Sequence, residues 1–197
     1  MTKRLFDIIC SGLGLICLAP VFLYIILWIK KDSTGPIFFR QIRVGRHGKT
    51  FRIHKFRSMY VNTEHQGRLT IGKDPRITPS GHFIRQYKLD ELAQLIDVFI
   101  GTMSLVGPRP EVPEFMSLYS EEEQKIILSV RPGITDKASI EMIDENSILA
   151  TYSDPTQAYI DVIMPIKAKY YIEYVNNQSI TNDIHIIFLT IKKIIRH

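Results

Sequence analysis

The chain has 197 residues and a formal net charge of +5. Its two cysteines, Cys10 and Cys17, lie inside one apolar run, which excludes a disulfide framework in the rest of the chain and fits a reducing compartment. A basic balance is compatible with nucleic acid, anionic lipid or a phosphorylated substrate as partner; the apolar run favours the last two.

That run covers residues 8–29, with Lys3-Arg4 before it and Lys30-Lys31 after it. About 20 such residues would cross a hydrocarbon core as a straight helix. Both flanks are basic, however, and basic flanks prefer the cytoplasmic side. Pro20 removes a helix hydrogen bond and clashes with the preceding turn. These two features predict a re-entrant helix-break-helix over 1–31, bent at Ala19-Pro20, rather than a single span. Ser11 lies too far from the bend to satisfy its freed carbonyls. The run is too long for a cleaved signal, and no small-x-small site follows it. About 165 residues remain, enough for one compact domain over 32–197. No internal repeat is evident.

Residues 32–36 read as a turn. Two short strands with alternating aromatic, β-branched and charged residues follow, joined at Gly45–Gly48. Residues 60–80 carry glycines and prolines and read as a long surface loop, a length often tied to function. A helical pattern starts at His82. A second helix is expected from Asp90, burying Leu92, Leu95, Ile96 and Phe99 and stopping at Gly101. SLVGPRPEVP and VRPGIT read as rigid loops around a helix over 113–128. A long helix is expected over 155–176, distorted near Pro165. Asp183 is expected to cap a last helix whose apolar residues cover more than one face, with Lys192, Lys193 and Arg196 near its end. Such a helix suits core packing or the headgroup layer. The predicted fold class is α/β, mostly helical, with a small sheet near 37–57.

Three elements carry the candidate chemistry: Lys55 and Arg57 at the end of a strand, Asp90-Glu91 at a helix start, and the loops holding Arg109 and Arg131. Adjacent carboxylates on a helix diverge, one toward a metal or electrophile and one toward a proton. The plain alternative is a helix cap, since Asp is favoured there and Glu in the first turn. Arg109 sits between two prolines, so little entropy is lost in orienting it on a phosphate or uracil carbonyl. A rigid surface turn explains the same pattern, and Arg131 before Pro132-Gly133 repeats it. Lys55 and Arg57 alternate, so they share a strand face.

Taken together, KRLFD at 3–7, FRIHKFRSM at 51–59, LDELAQLIDVFIGTMSLVGPRPE at 89–111 and VRPGIT at 130–135 resemble the bacterial sugar transferase family, the small monotopic phosphoglycosyl transferases. The likeness covers nearly the whole chain and is closest to the minimal form of the family, without extra membrane helices. It implies transfer of a phospho-sugar from a UDP-sugar to polyprenol (undecaprenyl) phosphate, releasing UMP and starting a surface glycan or glycoprotein glycan. By the resemblance, Asp90 is the nucleophile forming an aspartyl-phosphosugar intermediate, and Glu91 manages protons or positions the lipid phosphate. Mg²⁺ sits near Asp90 and the diphosphate. Lys55, Arg57, Arg85, Arg109 and Arg131 surround phosphates and nucleotide, and Asp161 pairs with one of those cations. The protein is then monotopic on the inner leaflet of the bacterial inner membrane, its catalytic domain facing the cytoplasm, with a homodimer left open and nucleic acid excluded.

The chain departs from the common family pattern in four places. Ala19 stands where serine often precedes the bend proline, Lys88 where Ser or Thr often precedes LDE, and Ala93 where a proline is common. After VRPGIT it reads DKASIEMIDENSILA, the region expected to set sugar preference, so the sugar stays unassigned. Two other classes compete: an anchored scaffold without turnover, which retention of both Asp90 and Glu91 disfavours, and a nucleic-acid binder, which the scattered basic residues disfavour.

Overall fold

Pro20 does break the apolar run. In the computed structural model, which describes residues 2–61, 63, 74–142 and 145–196, helix α1 (Thr2–Cys17) and helix α2 (Ala19–Asp32) meet at 61°. The proline occupies the first turn of α2, where a missing N–H costs nothing. Among the described residues no single helix is long and apolar enough to cross a membrane; this bent pair is, by length and composition.

The basic flanks do more than flank. Lys3 donates to Asp183 at 2.5 Å and to the Val106 carbonyl at 3.2 Å. Arg4 donates to the carbonyls of Val98 and Phe99, and Asp7 accepts from Ser104 Oγ and Leu105 N. KRLFD is thus the seam that ties α1 to the rest of the chain. At the far end, Asp32 accepts from the backbone and hydroxyl of Ser80.

The predicted hairpin forms in two steps. Strands β1 (Phe38–Phe39), β2 (Ile42–Val44), β3 (Thr50–Arg52) and β4 (Lys55–Phe56) pair antiparallel as β1 with β4 and β2 with β3. The turn at residues 45–48 places His47 at φ 58. Most of the predicted 60–80 loop lies outside the described residues. At its end Asp74 and Arg76 form a buried ion pair, and Met59 bridges Ile77. Helix α3 (Pro79–Gln86) follows, starting three residues before His82 with Thr78 as its cap.

From Leu89 to Gln94 the chain is a 3₁₀ helix, continued by α4 (Leu95–Ile100), which Gly101 ends at φ 97 as expected. The buried face differs from the predicted one. Ala93, Gln94, Asp97 and Val98 are buried, whereas Leu92, Leu95 and Ile96 are half-buried and Phe99 is exposed. A tight 3₁₀ turn has three residues per turn, so it shifts the phase of the stripe. Leu95 and Phe99 lie against Gly14 and Gly12 of α1 instead.

Both proline loops contain strand. β5 (Ser104–Val106) pairs in parallel with β6 (Gly133–Thr135), Ser104 opposite Gly133. The predicted 113–128 helix is two, α5 (Pro113–Met116) and α6 (Glu121–Ile127), because Ser120 and Glu123 form a capping box that starts a new helix. Short helices α7 (Lys137–Glu141), α8 (Glu145–Leu149) and α9 (Pro155–Ala158) lead to a π-helical turn, Tyr159–Ile163, and α10 (Met164–Asn176), so the distortion expected at Pro165 falls just before it. Helix α11 (Ile180–Arg196) closes the chain. Asp183 does not cap it. It sits inside the helix, fully buried, where Lys3 and Tyr174 bond it. Among the described residues the result is mixed, mostly helical, with three two-stranded sheets.

Gly107 and Gly133 let β5 and β6 approach. A Cβ on Gly133 would stand 2.1 Å from Gly107 N. Gly133→Ala is expected to cost about 3 kcal/mol or more, since backbone rather than a flexible side chain must yield. Urea denaturation checks this; a loss below about 1 kcal/mol would mean the strands can part cheaply.

Candidate active site

The site starts from a residue in an unusual conformation. Lys88 is left-handed, at φ 54 and ψ 23, and turns the chain into the 3₁₀ helix so that Asp90 and Glu91 occupy its first turn. The capping alternative therefore fails for Asp90, because Lys88 holds the cap position and no side chain caps the helix. Strand β4 packs beside this turn. Its Phe56 goes inward with Ile84 and Ala93, which leaves Lys55 on the face toward the carboxylates.

Lys55 Nζ lies 3.1 Å from Asp90 Oδ2 and 3.3 Å from Glu91 Oε1. Arg109 reaches across from the proline loop and grips both Glu91 oxygens, Nη1 to Oε2 at 2.9 Å and Nη2 to Oε1. Such a two-toothed contact fixes orientation as well as charge. Burial opposes ionisation of Glu91, but Arg109 and Lys55 outweigh it and hold its carboxyl well below the usual range. Glu91 in turn raises the Arg109 guanidinium well above its ordinary value. These cations favour Glu91 as an anion.

These residues line a cleft of about 770 Å³. Of the sequence-predicted residues, Lys55, Arg85, Asp90, Glu91 and Arg109 line it. Three do not. Arg57 turns away, its guanidinium donating to the carbonyls of Ser33 and Thr34, because β4 ends at Phe56 and the alternation with Lys55 stops there. Arg131 donates to the Gly101 carbonyl beside Arg4. Asp161 accepts from Gln157 on the surface and pairs with none of the cations named.

The cleft has two kinds of wall. One is apolar, with Phe6 and Cys10 from α1, Leu92 and Leu95, and Ile187 and Ile191 from α11. The other is polar and was not anticipated from the sequence. Tyr159 donates to Glu111 at 2.9 Å, and Lys167 donates to Tyr159 at 3.2 Å and pairs with Glu145 at 2.7 Å. Burial, with Glu111 next, pushes the Tyr159 phenol far above its ordinary range, so it stays a donor. Arg43 extends this wall, bonding the Pro110 carbonyl and Gln41. A signal for Lys167 existed: it interrupts the apolar stripe Ile163, Met164, Ala168, Tyr171 on one helix face.

No group of three or more metal-ligating side chains occurs among the described residues. Among the described residues, Glu91 has both oxygens engaged, whereas Asp90 has only Oδ2 on Lys55. Mg²⁺ often takes one or two carboxylates and completes its shell with phosphates and water. Asp90 suits that pattern.

The sequence model of the family described as bacterial sugar transferase matches residues 1–197. The chain belongs to the bacterial sugar transferase family. Within that family it is 40% identical over 200 residues to an undecaprenyl-phosphate glucose phosphotransferase of Komagataeibacter xylinus, covering 98% of this chain and 36% of the relative. It is 37% identical to a UDP-glucose:undecaprenyl-phosphate glucose-1-phosphate transferase of Escherichia coli, over 98% of this chain and 40% of the relative. It is 35% identical to the uncharacterized sugar transferase EpsL of Bacillus subtilis, over 98% of this chain and 87% of that protein. The chain thus spans well under half of the two transferases with named substrates and most of the third relative.

Proposed function

We propose that this bacterial sugar transferase moves a sugar phosphate from a UDP-sugar to undecaprenyl phosphate and releases UMP. One observation carries the reading. A single cleft holds paired carboxylates and cations, and it is also walled by the apolar faces of α1 and α11. A water-soluble diphosphate and a lipid phosphate both find matching surfaces there. The names of the two longer relatives point to the same acceptor.

In this mechanism an Asp90 carboxylate oxygen attacks the sugar-bearing phosphorus. The bond from that phosphorus to the bridging oxygen breaks, and UMP leaves with the electron pair. A phosphate oxygen of undecaprenyl phosphate then attacks the same phosphorus and returns Asp90 as a carboxylate. The covalent step divides one displacement into two. Lys55 holds Asp90 in line and, with Arg109, meets the phosphate charge; Glu91 orients both cations. Lys88 and Arg85 supply further positive charge at the cleft. Mg²⁺, held by Asp90 and the substrate phosphates, would neutralise charge on the diphosphate.

The bent α1–α2 pair is read as a re-entrant anchor in the bacterial inner membrane, with the rest of the chain on the cytoplasmic face. Leu5, Ile9, Leu13 and Ile16 of α1 are exposed, as are Ile184, Phe188 and Ile191 of α11. These faces suit the acyl boundary. The protein is expected to float with vesicles of phosphatidylethanolamine and phosphatidylglycerol even in high salt; sedimentation away from them would refute the anchor. The transfer reading is tested by UMP release from a UDP-sugar panel with undecaprenyl phosphate and Mg²⁺. Absence of release from every donor would count against it.

A further inference from the structure

The polar wall of the cleft has no part in the chemistry just described, yet it is built. Lys167 and Glu111 are buried at 5% and 3% exposure, and both meet the Tyr159 hydroxyl. Glu145 is the more exposed of the ion pair, its side chain 25% exposed against 7% for Lys167. It spends Oε2 on Lys167, and Oε1 has no partner among the described residues. Arg43 Nε is buried and also lacks one. Phe115 and Tyr159 line the same wall with ring centroids 4.8 Å apart. The π-helical turn begins at Tyr159, and such turns occur frequently at functional sites.

The wall joins the carboxylates through one short segment. Arg109 holds Glu91, and Glu111, two positions on, accepts from Tyr159. Asp90 and its neighbours therefore share one cleft with an apolar wall and a wall of aromatic faces that carries spare acceptors and donors. Hydrocarbon matches the first. A polyol matches the second, since its C–H faces pack on rings and its hydroxyls need paired donors and acceptors.

We infer that the wall formed by Phe115, Glu145, Tyr159 and Lys167 is the subsite that receives the sugar of the donor and reads its hydroxyl pattern. The inference rests on the transfer reading above. Glu145 is the discriminating residue, because its carboxylate is partly exposed in the cleft and the Lys167 ion pair fixes its direction. A site built to bond a hydroxyl discriminates strongly against a donor that lacks it there, because buried polar groups are then left unpaired.

The test uses the full chain and the variants Glu145→Gln and Tyr159→Phe, each first checked for a wild-type melting profile. kcat/KM is measured for UDP-glucose, UDP-galactose, UDP-N-acetylglucosamine and UDP-N-acetylgalactosamine, with inhibition by UMP alongside. The expected result is a change of about tenfold in the ratio between the best donor and its C4 epimer, with UMP inhibition within about twofold. Unchanged donor ratios in both folded variants would overturn the inference. Equal losses for UMP and every donor would overturn it too, and would give the wall to the nucleotide. If the wild type turns over no donor, binding decides: a UDP-sugar stabilising the protein more than UMP, with that increment lost in Glu145→Gln, supports the subsite and sinks only the transfer reading. No such increment sinks both.

Discussion

Asp90→Asn is expected to lower UMP release by at least about a thousandfold, the scale seen when a covalent nucleophile is removed. The amide keeps the size of the carboxylate but cannot attack phosphorus. The loss should fall on kcat, since Lys55, Arg109 and the cleft walls remain to bind the donor. Asp90 is buried, and its exchange also leaves Lys55 with Glu91 as its remaining carboxylate partner, so the melting profile must be compared first. A folded Asp90→Asn protein that still releases UMP within tenfold of wild type would keep the enzyme and end the covalent role. Trapping of radiolabelled phospho-sugar on wild-type protein, absent in the variant, is the companion measurement.

Arg109→Ala is expected to cost about 2 kcal/mol of stability and most of the activity. The pair is half-buried, and removing one partner leaves the other charge poorly compensated, which is worse than losing both. Glu91 would retain the Lys55 ion pair at 3.3 Å and the charge of Lys88 nearby. The pH dependence follows with a definite sign. The folded-state carboxyl of Glu91 is held below its unfolded value of about 4.3. Its contribution is therefore present at neutral pH and is lost as pH falls through the depressed folded value. In Arg109→Ala, burial acts with less opposition and the carboxyl moves up toward its unfolded value, so Glu91 contributes less stability at neutral pH and less is lost on acidification. Arg109→Lys should rescue part of the stability but not the two-toothed grip. Urea unfolding at pH 7 and pH 4 separates these outcomes. Equal stability of wild type and Arg109→Ala at both would show that the pair is solvated and dispensable.

Much of the backbone was legible because its determinants are local. Pro20 forbids a continuous helix wherever it sits in space, and Gly101 accepts the left-handed stop that other residues resist. Ser120 and Glu123 also carry a local signal, a capping box, that an unbroken 113–128 helix overlooks. Asp90-Glu91 stood out as a pair, but the cap and the catalytic alternatives were indistinguishable until Lys88 was seen to hold the cap position.

The cations show where local reasoning stops. Arg109 and Arg131 share the same Arg-Pro context, and Lys55 and Arg57 the same strand. Only Arg109 and Lys55 reach the carboxylates, while Arg131 and Arg57 bond backbone carbonyls elsewhere. Lys3 and Arg4 read as topology signals yet are bonded to Asp183 and the end of α4. The sequence by itself determined the broken N-terminal helix pair, the paired carboxylates, and a family resemblance carried by ordered motifs, since proline, glycine and motif order act within a few residues. Tertiary structure alone decided which cations join the site, and it alone brought Glu111, Glu145, Tyr159 and Lys167 together. Charge pairing depends on distance in space, and residues 55, 91, 109 and 167 become neighbours only once the core has packed.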